Sequence, residues 1–235
     1  MKKVYDKFLS SGFQDLNQDS SAHTVSLYEH NYRNYLPQDK QAKILDIGCD
    51  MGSFLQFVGS EGFENYQGVD LSSEAIEYCQ QKGIMKVKQI DDLLNYLTMS
   101  AETFDLIAMN DVIEHLPRAK VVEILEKIYE KLNRGGVFVV KTGNLASLVG
   151  PRIRHGDFTH YLGLIEYSLK QVLLVSGFVD VMVEPFVFPK NKITRIVRFV
   201  GQKIIHGLWK LVFFFEFTNV PKIVDELIFA VGRKK

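Results

Sequence analysis

Two clusters of acids, glycines and histidines in this chain have the spacing to bind a nucleoside and move a proton. Between Lys43 and Gly52 the chain reads K-I-L-D-I-G-C-D-M-G, and Asp70 closes a second apolar run, Y-Q-G-V-D, about twenty residues on. A strand, a glycine turn, a helix and an acid at the next strand end form the first half of a nucleotide-binding βαβ unit. Gly48 and Gly52 let backbone pass close under a ligand, the helix start offers free N–H groups, and Asp70 can accept both hydroxyls of a ribose. The run lacks the three glycines of the dinucleotide fingerprint. Asp46, two places before the first glycine, disfavours a pyrophosphate on the turn and suits a ligand with a positive amino group. Farther on, Asp111, Glu114 and His115 follow an apolar run, and Arg154, His155, Asp157 and His160 crowd a second polar stretch. Histidine takes a hydroxyl proton near neutral pH when a carboxylate orients it.

These residues need a scaffold, and the chain alternates strand and helix candidates in the order a parallel, doubly wound sheet requires. Strands are expected at 42–47, 66–69, 85–90, 104–109, 137–141 and 179–188, with a last one at 227–231. Helices are expected at 53–60, from Ser72 or Ser73 to 82, at 93–99, 119–132 and 168–176, and an N-terminal one at 28–36. The chain has 235 residues, with 28 basic and 28 acidic side chains in balance. That length suits one large domain, and the balance gives no nucleic-acid signature. Cys49 and Cys79 are too few and too apolar in context for a disulfide framework or a zinc site. The start M-K-K-V-Y-D-K-F-L-S lacks a signal peptide's apolar core, so a cytoplasmic location is expected.

Asp46-x-Gly48-x-x-x-Gly52 resembles the first motif of class I S-adenosylmethionine (SAM) methyltransferases, with Asp50 where that family carries its middle glycine. F-D-L-I-A-M-N-D-V-I-E-H-L from Phe104 resembles the fourth-strand motif of small-molecule members. H-G-D-F-T-H from His155 and S-L-K-Q-V-L-L-V-S-G-F from Ser168 resemble stretches of methyltransferases from bacterial surface-polysaccharide pathways. The resemblance covers roughly residues 25–185. It implies a Rossmann-like, mostly parallel seven-stranded α/β sheet. SAM would be held by Asp46, Gly48, Cys49, Gly52, Asp70, Leu71, Asp91 or Asp92, and Asn110. Asp92 is favoured over Asp91 for the adenine amino group, with helix capping as the plainer role of the pair. His160 or His115 would be the base: Asp157, three residues before His160, would hold that imidazole's tautomer, and Glu114 or Asp111 would orient His115. The loop after the fifth strand would set Arg154, His155, Asp157 and His160 across the mouth from His115. Asp111, Glu114 and His115 also resemble the metal-touching E-x-x-E-H of ubiquinone-pathway enzymes, but no metal is assigned.

The expected organisation is an N-terminal helical cap at 1–40, a SAM-binding core at 41–188, an insertion at 189–226 and a final core strand at 227–235. From Lys190 to Lys222 there are seven Lys or Arg and one acid, Glu216, among recurrent apolar residues. That composition makes a basic amphipathic helix suited to the anionic inner face of a membrane, or else a lid or dimer helix. Cations interrupt it too often for a span. The expected acceptor is a hydroxyl of a sugar, free or lipid-linked, in surface-glycan assembly. A quinone or lipid-soluble phenol, or a non-catalytic SAM-fold partner in a membrane-bound complex, stand as rivals. The charge balance gives no reason to expect a nucleic-acid partner; no N-P-P-Y or D-P-P-Y amino-methylation run is present, and O- versus N-methylation and the oligomeric state stay open.

Overall fold

The structure, a computed structural model, describes residues 21–189, 193–217 and 219–235. Residues 1–20 of the expected cap, Lys190, Asn191 and Lys192 of the insertion, and Thr218 lie outside the described residues. Among the described residues seven strands form one sheet: β1 (Ile44–Ile47), β2 (Tyr66–Asp70), β3 (Val87–Gln89), β4 (Phe104–Asn110), β5 (Leu132–Gly143), β6 (Val179–Pro185) and β7 (Leu227–Arg233). Their order is β3-β2-β1-β4-β5-β7-β6, with β7 antiparallel to both its neighbours and the other pairs parallel. The sheet is the doubly wound one expected, because fully apolar runs such as Leu106–Met109 can be covered on both faces only by crossover helices. Register places the ends of β1, β2 and β4 side by side, so Asp46, Asp70 and Asn110 emerge at one carboxyl edge.

The helices are α1 (Ser21–Tyr32), α2 (Ser53–Ser60), α3 (Ser73–Gln81), α4 (Leu93–Met99), α5 (Val121–Lys131), α6 (Gly150–Gly156), α7 (Glu166–Val175) and α8 (Ile193–Glu216). Ser72 starts α3, its hydroxyl accepting the Ala75 N–H at 3.3 Å. Several expected boundaries are corrected. Among the described residues the N-terminal helix spans Ser21–Tyr32, so it is in place ahead of Tyr28, and 33–35 is only a 3-10 turn. Its pull is tertiary: Tyr28 and Tyr32 enter an aromatic cluster with Phe54, Phe57, Phe186 and Phe229, with ring centroids 5.2–6.3 Å apart. Each such buried ring stabilises the fold by about 1.5–3 kcal/mol, more than local propensity decides. The third strand shortens to 87–89, and the fifth helix starts at 121, after a 3-10 turn at 118–120. The fifth strand pairs from 132 to 143, because the turn at Gly135 and Gly136 bonds the chain end at Lys234. The sixth strand stops at Pro185, where Phe186 dives into the aromatic cluster.

Two glycines of the first motif are required sterically. A Cβ on Gly48 (φ +71°) would lie 2.2 Å from Val112 Cγ2, and one on Gly52 (φ +76°) would lie 2.5 Å from Ile84 Cδ1. Cys49 and Cys79 are buried free thiols in a small apolar cluster with Leu55, Ile76 and Ile84. Asp50, in the family's glycine position, adopts the left-handed conformation with φ +43°.

Candidate active site

A cavity of about 990 Å³ opens at the carboxyl edge of the sheet. Eight carboxylates and two lysines line it, so the cavity favours a cationic ligand. Asp46 sits at its floor, 2 % exposed, with Oδ1 lacking a hydrogen-bond partner among the described residues. Burial pushes the Asp46 carboxyl well above the ordinary range, and Asp70, Cys79 and Asp50 add to that rise. An arriving cation would restore its charge. Asp70 is held in place by the turn it faces: Oδ1 accepts the Ser72 N–H at 2.8 Å and Oδ2 the Asp50 N–H at 3.0 Å. Burial raises its pKa against those two hydrogen bonds.

Leu71, Cys49 and Gly48 complete this wall, and Asp91 and Asp92 stand on it farther along. Asp92 also caps α4, accepting the Asn95 N–H at 2.8 Å, which is the plainer role foreseen for it. Gly52 is not among the lining residues. Its part is the close packing of the α2 start on Ile84 and Cys79, a correction to its expected ligand role. Asn110 Oδ1 accepts the Tyr32 hydroxyl at 2.8 Å, and its buried Nδ2 lacks a partner among the described residues.

The other end of the cavity is built from the 111–116 turn and the 150–162 segment. Glu114 ties them together, its carbonyl accepting the N–H groups of Tyr161 at 2.8 Å and Leu162 at 3.0 Å. Its carboxyl is 6 % exposed, with Oε2 unpartnered among the described residues. Burial, and then the Asp111 charge, push it up to about 8. Asp111 turns aside to Lys141, 2.5 Å away, so it does not join Glu114 and His115 as the motif reading supposed. His160 takes that place: Glu114, His115 and His160 offer ligand atoms within 4.8 Å of one another.

His115 and His160 are in contact, ring centroids 4.7 Å apart, not across the mouth from each other. The expected loop is in part the helix α6, which carries Arg154 and His155 outside the cavity lining. Arg154 instead braces the segment by donating to the carbonyls of His160 and Tyr161. Asp157 does not pair with His160. Its Oδ1 accepts the Thr159 N–H at 2.7 Å and the Thr159 hydroxyl at 2.6 Å, and Thr159 Oγ1 lies 2.7 Å from His115 Nδ1. Desolvation raises the Asp157 pKa, but the two Thr159 bonds and the two histidines bring it below the ordinary value.

An ionised carboxylate only accepts, so the Thr159 proton points to Asp157 and His115 Nδ1–H donates to Thr159. The network thereby assigns the His115 lone pair to Nε2. His160 Nδ1 faces the Ile153 carbonyl at 2.8 Å, which likewise leaves its lone pair on Nε2. Burial, then the neighbouring His160, hold the His115 pKa below its usual value, so the ring is neutral at pH 7.

Sequence reasoning did not single out Lys141, Tyr28, Tyr32 or Thr159. Lys141 is the one with a signal, a lysine ending the apolar run V-F-V-V. It is buried with its charge held by Asp111, and lies 5.0 Å from the Phe186 ring and 5.8 Å from that of Tyr28. Burial lowers its pKa, but Asp111 and Tyr28 more than reverse that.

Sheet order, edge cavity and acid-lined floor together define a class I SAM-dependent methyltransferase fold. The chain belongs to the methyltransferase domain family, whose model matches residues 22–178. A solved SAM-dependent methyltransferase from Archaeoglobus fulgidus superposes with a TM-score of 0.66 at 24% identity, covering 89% of this chain and 94% of that one. The ubiquinone biosynthesis O-methyltransferase of Haemophilus ducreyi is 26% identical over 110 residues, 43% of this chain and 45% of that protein. EEF1A lysine methyltransferase 2 of Homo sapiens is 28% identical over 125 residues, 48% of this chain and 51% of that protein. The chain thus spans about half the length of the curated relatives it matches. SAM is the cofactor of this fold class, and the orphaned Asp46 Oδ1 in an acid-lined cavity fits its amino and sulfonium cations.

Proposed function

We propose that the protein transfers a methyl group from SAM to a hydroxyl of a polar small molecule, a sugar of surface-glycan assembly being the leading acceptor class. The observation that supports it best is the Asp157–Thr159–His115 chain beside His160, which presents two imidazoles with Nε2 lone pairs at one end of the cofactor cavity. When bound, SAM supplies a methyl group on a positively charged sulfur. In this reading Asp46 holds the amino group, Asp70 the ribose hydroxyls, and Asp91 or Asp92 the adenine amino group. Gly48, Cys49, Leu71 and Asn110 form the surrounding wall. The acceptor hydroxyl gives its proton to His115 Nε2. Asp157, through Thr159, holds that ring in the competent tautomer and steadies the imidazolium that forms. His160 Nε2 accepts a second hydroxyl and orients the acceptor, and Glu114, protonated near pH 7, donates a hydrogen bond into the same space. The protein's contribution is alignment and exclusion of water.

Transfer to a quinol or another lipid-soluble phenol is the second reading, favoured by the kinship to a ubiquinone biosynthesis O-methyltransferase. Calorimetric titration of SAM and S-adenosylhomocysteine, with Asp70→Ala as control, tests the cofactor. Nucleotide sugars, glycan intermediates and quinols are then screened for S-adenosylhomocysteine release. Micromolar binding lost in the variant, followed by turnover on a sugar, supports the reading. Turnover confined to quinols moves it to the second, and absence of cofactor binding leaves a non-catalytic SAM-fold partner.

A further inference from the structure

The helix α8 carries its apolar stripe on the wrong side for a lid. Among the described residues, contacts of four side chains fasten one face of it. Arg195 meets the Pro189 carbonyl at 3.3 Å and His23 Nδ1 at 3.4 Å, His206 faces Asp225 at 3.8 Å, Trp209 Nε1 donates to the Ala146 carbonyl at 2.9 Å, and Lys210 Nζ donates to the Lys222 carbonyl at 2.5 Å. At 100° per residue these side chains fall together on one side of the cylinder. Val197, Val200, Ile204, Leu208, Leu211 and Phe215 fall on the other, each between 50 and 75 % exposed. The helix is about 36 Å long, and none of its residues is buried. An apolar stripe of that length turned into water is far beyond the scattered exposure of ordinary surfaces.

We infer that this outward face of α8 seats the protein on an anionic lipid surface. Charge selects that occupant. Arg198 and Lys203, both exposed, lie on the two flanks of the stripe, roughly 100–120° from its centre. Glu216 is the single acid between Lys190 and Lys222. Cations bordering an apolar stripe suit a helix lying at the boundary between headgroups and acyl chains. A second copy of α8 packed on the same stripe would set those flanking cations against one another with almost no acid to pair them. Among the described residues no helix is long and apolar enough to cross a membrane. Its anchor points also adjoin the cavity: His23 precedes the lining residue Thr24, and Asp225 and Ala146 lie two and three residues from the lining residues Leu227 and Gly143. Docking therefore sets the elements that carry this wall directly behind the membrane-seated helix.

Vesicle flotation of the full chain tests it, with 100 % phosphatidylcholine vesicles against vesicles carrying 30 % phosphatidylglycerol. The wild type should float with the anionic vesicles and lose most of that binding in 0.5 M salt. Ile204→Glu combined with Leu208→Glu should weaken binding at least about tenfold. Both residues point into water, so calorimetric SAM binding or, failing that, an unchanged melting temperature confirms that the variant is folded. Absence of flotation with anionic vesicles overturns the inference. So does flotation that the double variant leaves unchanged. A wild-type dimer by light scattering that the variant converts to monomer, without vesicle binding, would give the stripe to a second copy instead.

Discussion

Replacing Glu114 by Gln should make the unliganded protein markedly more stable above neutral pH while changing little near pH 5. Glu114 is 6 % exposed and its pKa is raised from 4.5 to about 8, first by burial and then by the Asp111 charge. Because the folded value lies above the unfolded one, the native state holds an extra proton between these limits. Stability is therefore full at low pH and falls as pH rises toward about 8, where the buried carboxyl must ionise. At about 1.4 kcal/mol for each tenfold change in proton affinity, the cost of the ionised group reaches on the order of 3–5 kcal/mol. Gln keeps the shape and the hydrogen-bonding capacity without ionising. Asp46 and Asp70 are also raised by burial, but they are common to both proteins and cancel in the difference. For a chain of this size the gap corresponds to roughly 10 °C in melting temperature by pH 8.5. Thermal melts of wild type and Glu114→Gln from pH 5 to pH 9 measure it. Parallel curves, separated by the same offset at every pH, would refute the reasoning and mean that Glu114 reaches water or a cation in solution.

Asp50→Gly should raise the melting temperature by a few degrees, because it relieves an aspartate at φ +43° worth about 1 kcal/mol, and should leave SAM affinity equal or better. Weaker binding by calorimetry would instead give the Asp50 side chain a ligand role. Asp46→Asn should cost SAM at least about tenfold in affinity while leaving the fold intact, since it removes the charge on the floor of the cavity. Once an acceptor is found, Thr159→Val should lower kcat by about 10²-fold with SAM affinity unchanged. It should also shift the pH profile, because the link from Asp157 to His115 is gone; an unchanged profile would make Thr159 a packing residue. Turnover should survive a chelator if an imidazole is the base, whereas loss restored by a divalent ion would assign Glu114, His115 and His160 to a metal.

Where the argument from residues succeeded, the determinant was local. Apolar runs of strand length between glycine and acid punctuation specified the alternation of elements, hence the parallel sheet and the edge at which Asp46, Asp70 and Asn110 meet. The helix start at Ser72 or Ser73 was legible for the same reason, since the Ser72 cap on the Ala75 N–H is satisfied within three residues. What the sequence could not decide was pairing between distant segments. His160 and His115, 45 positions apart, touch because the Glu114 carbonyl accepts the N–H groups of Tyr161 and Leu162. Asp157 was assigned to the wrong histidine because the bridging Thr159 hydroxyl has no signature of its own. Gly52 looked like a ligand residue but is a packing residue, a difference visible only once Ile84 is placed against it. Lys141 became a buried cation only when Asp111 was folded beside it. The periodicity of α8 likewise showed that one face is apolar, but which way that face points is settled by the contacts of Arg195, His206 and Trp209 with the rest of the molecule.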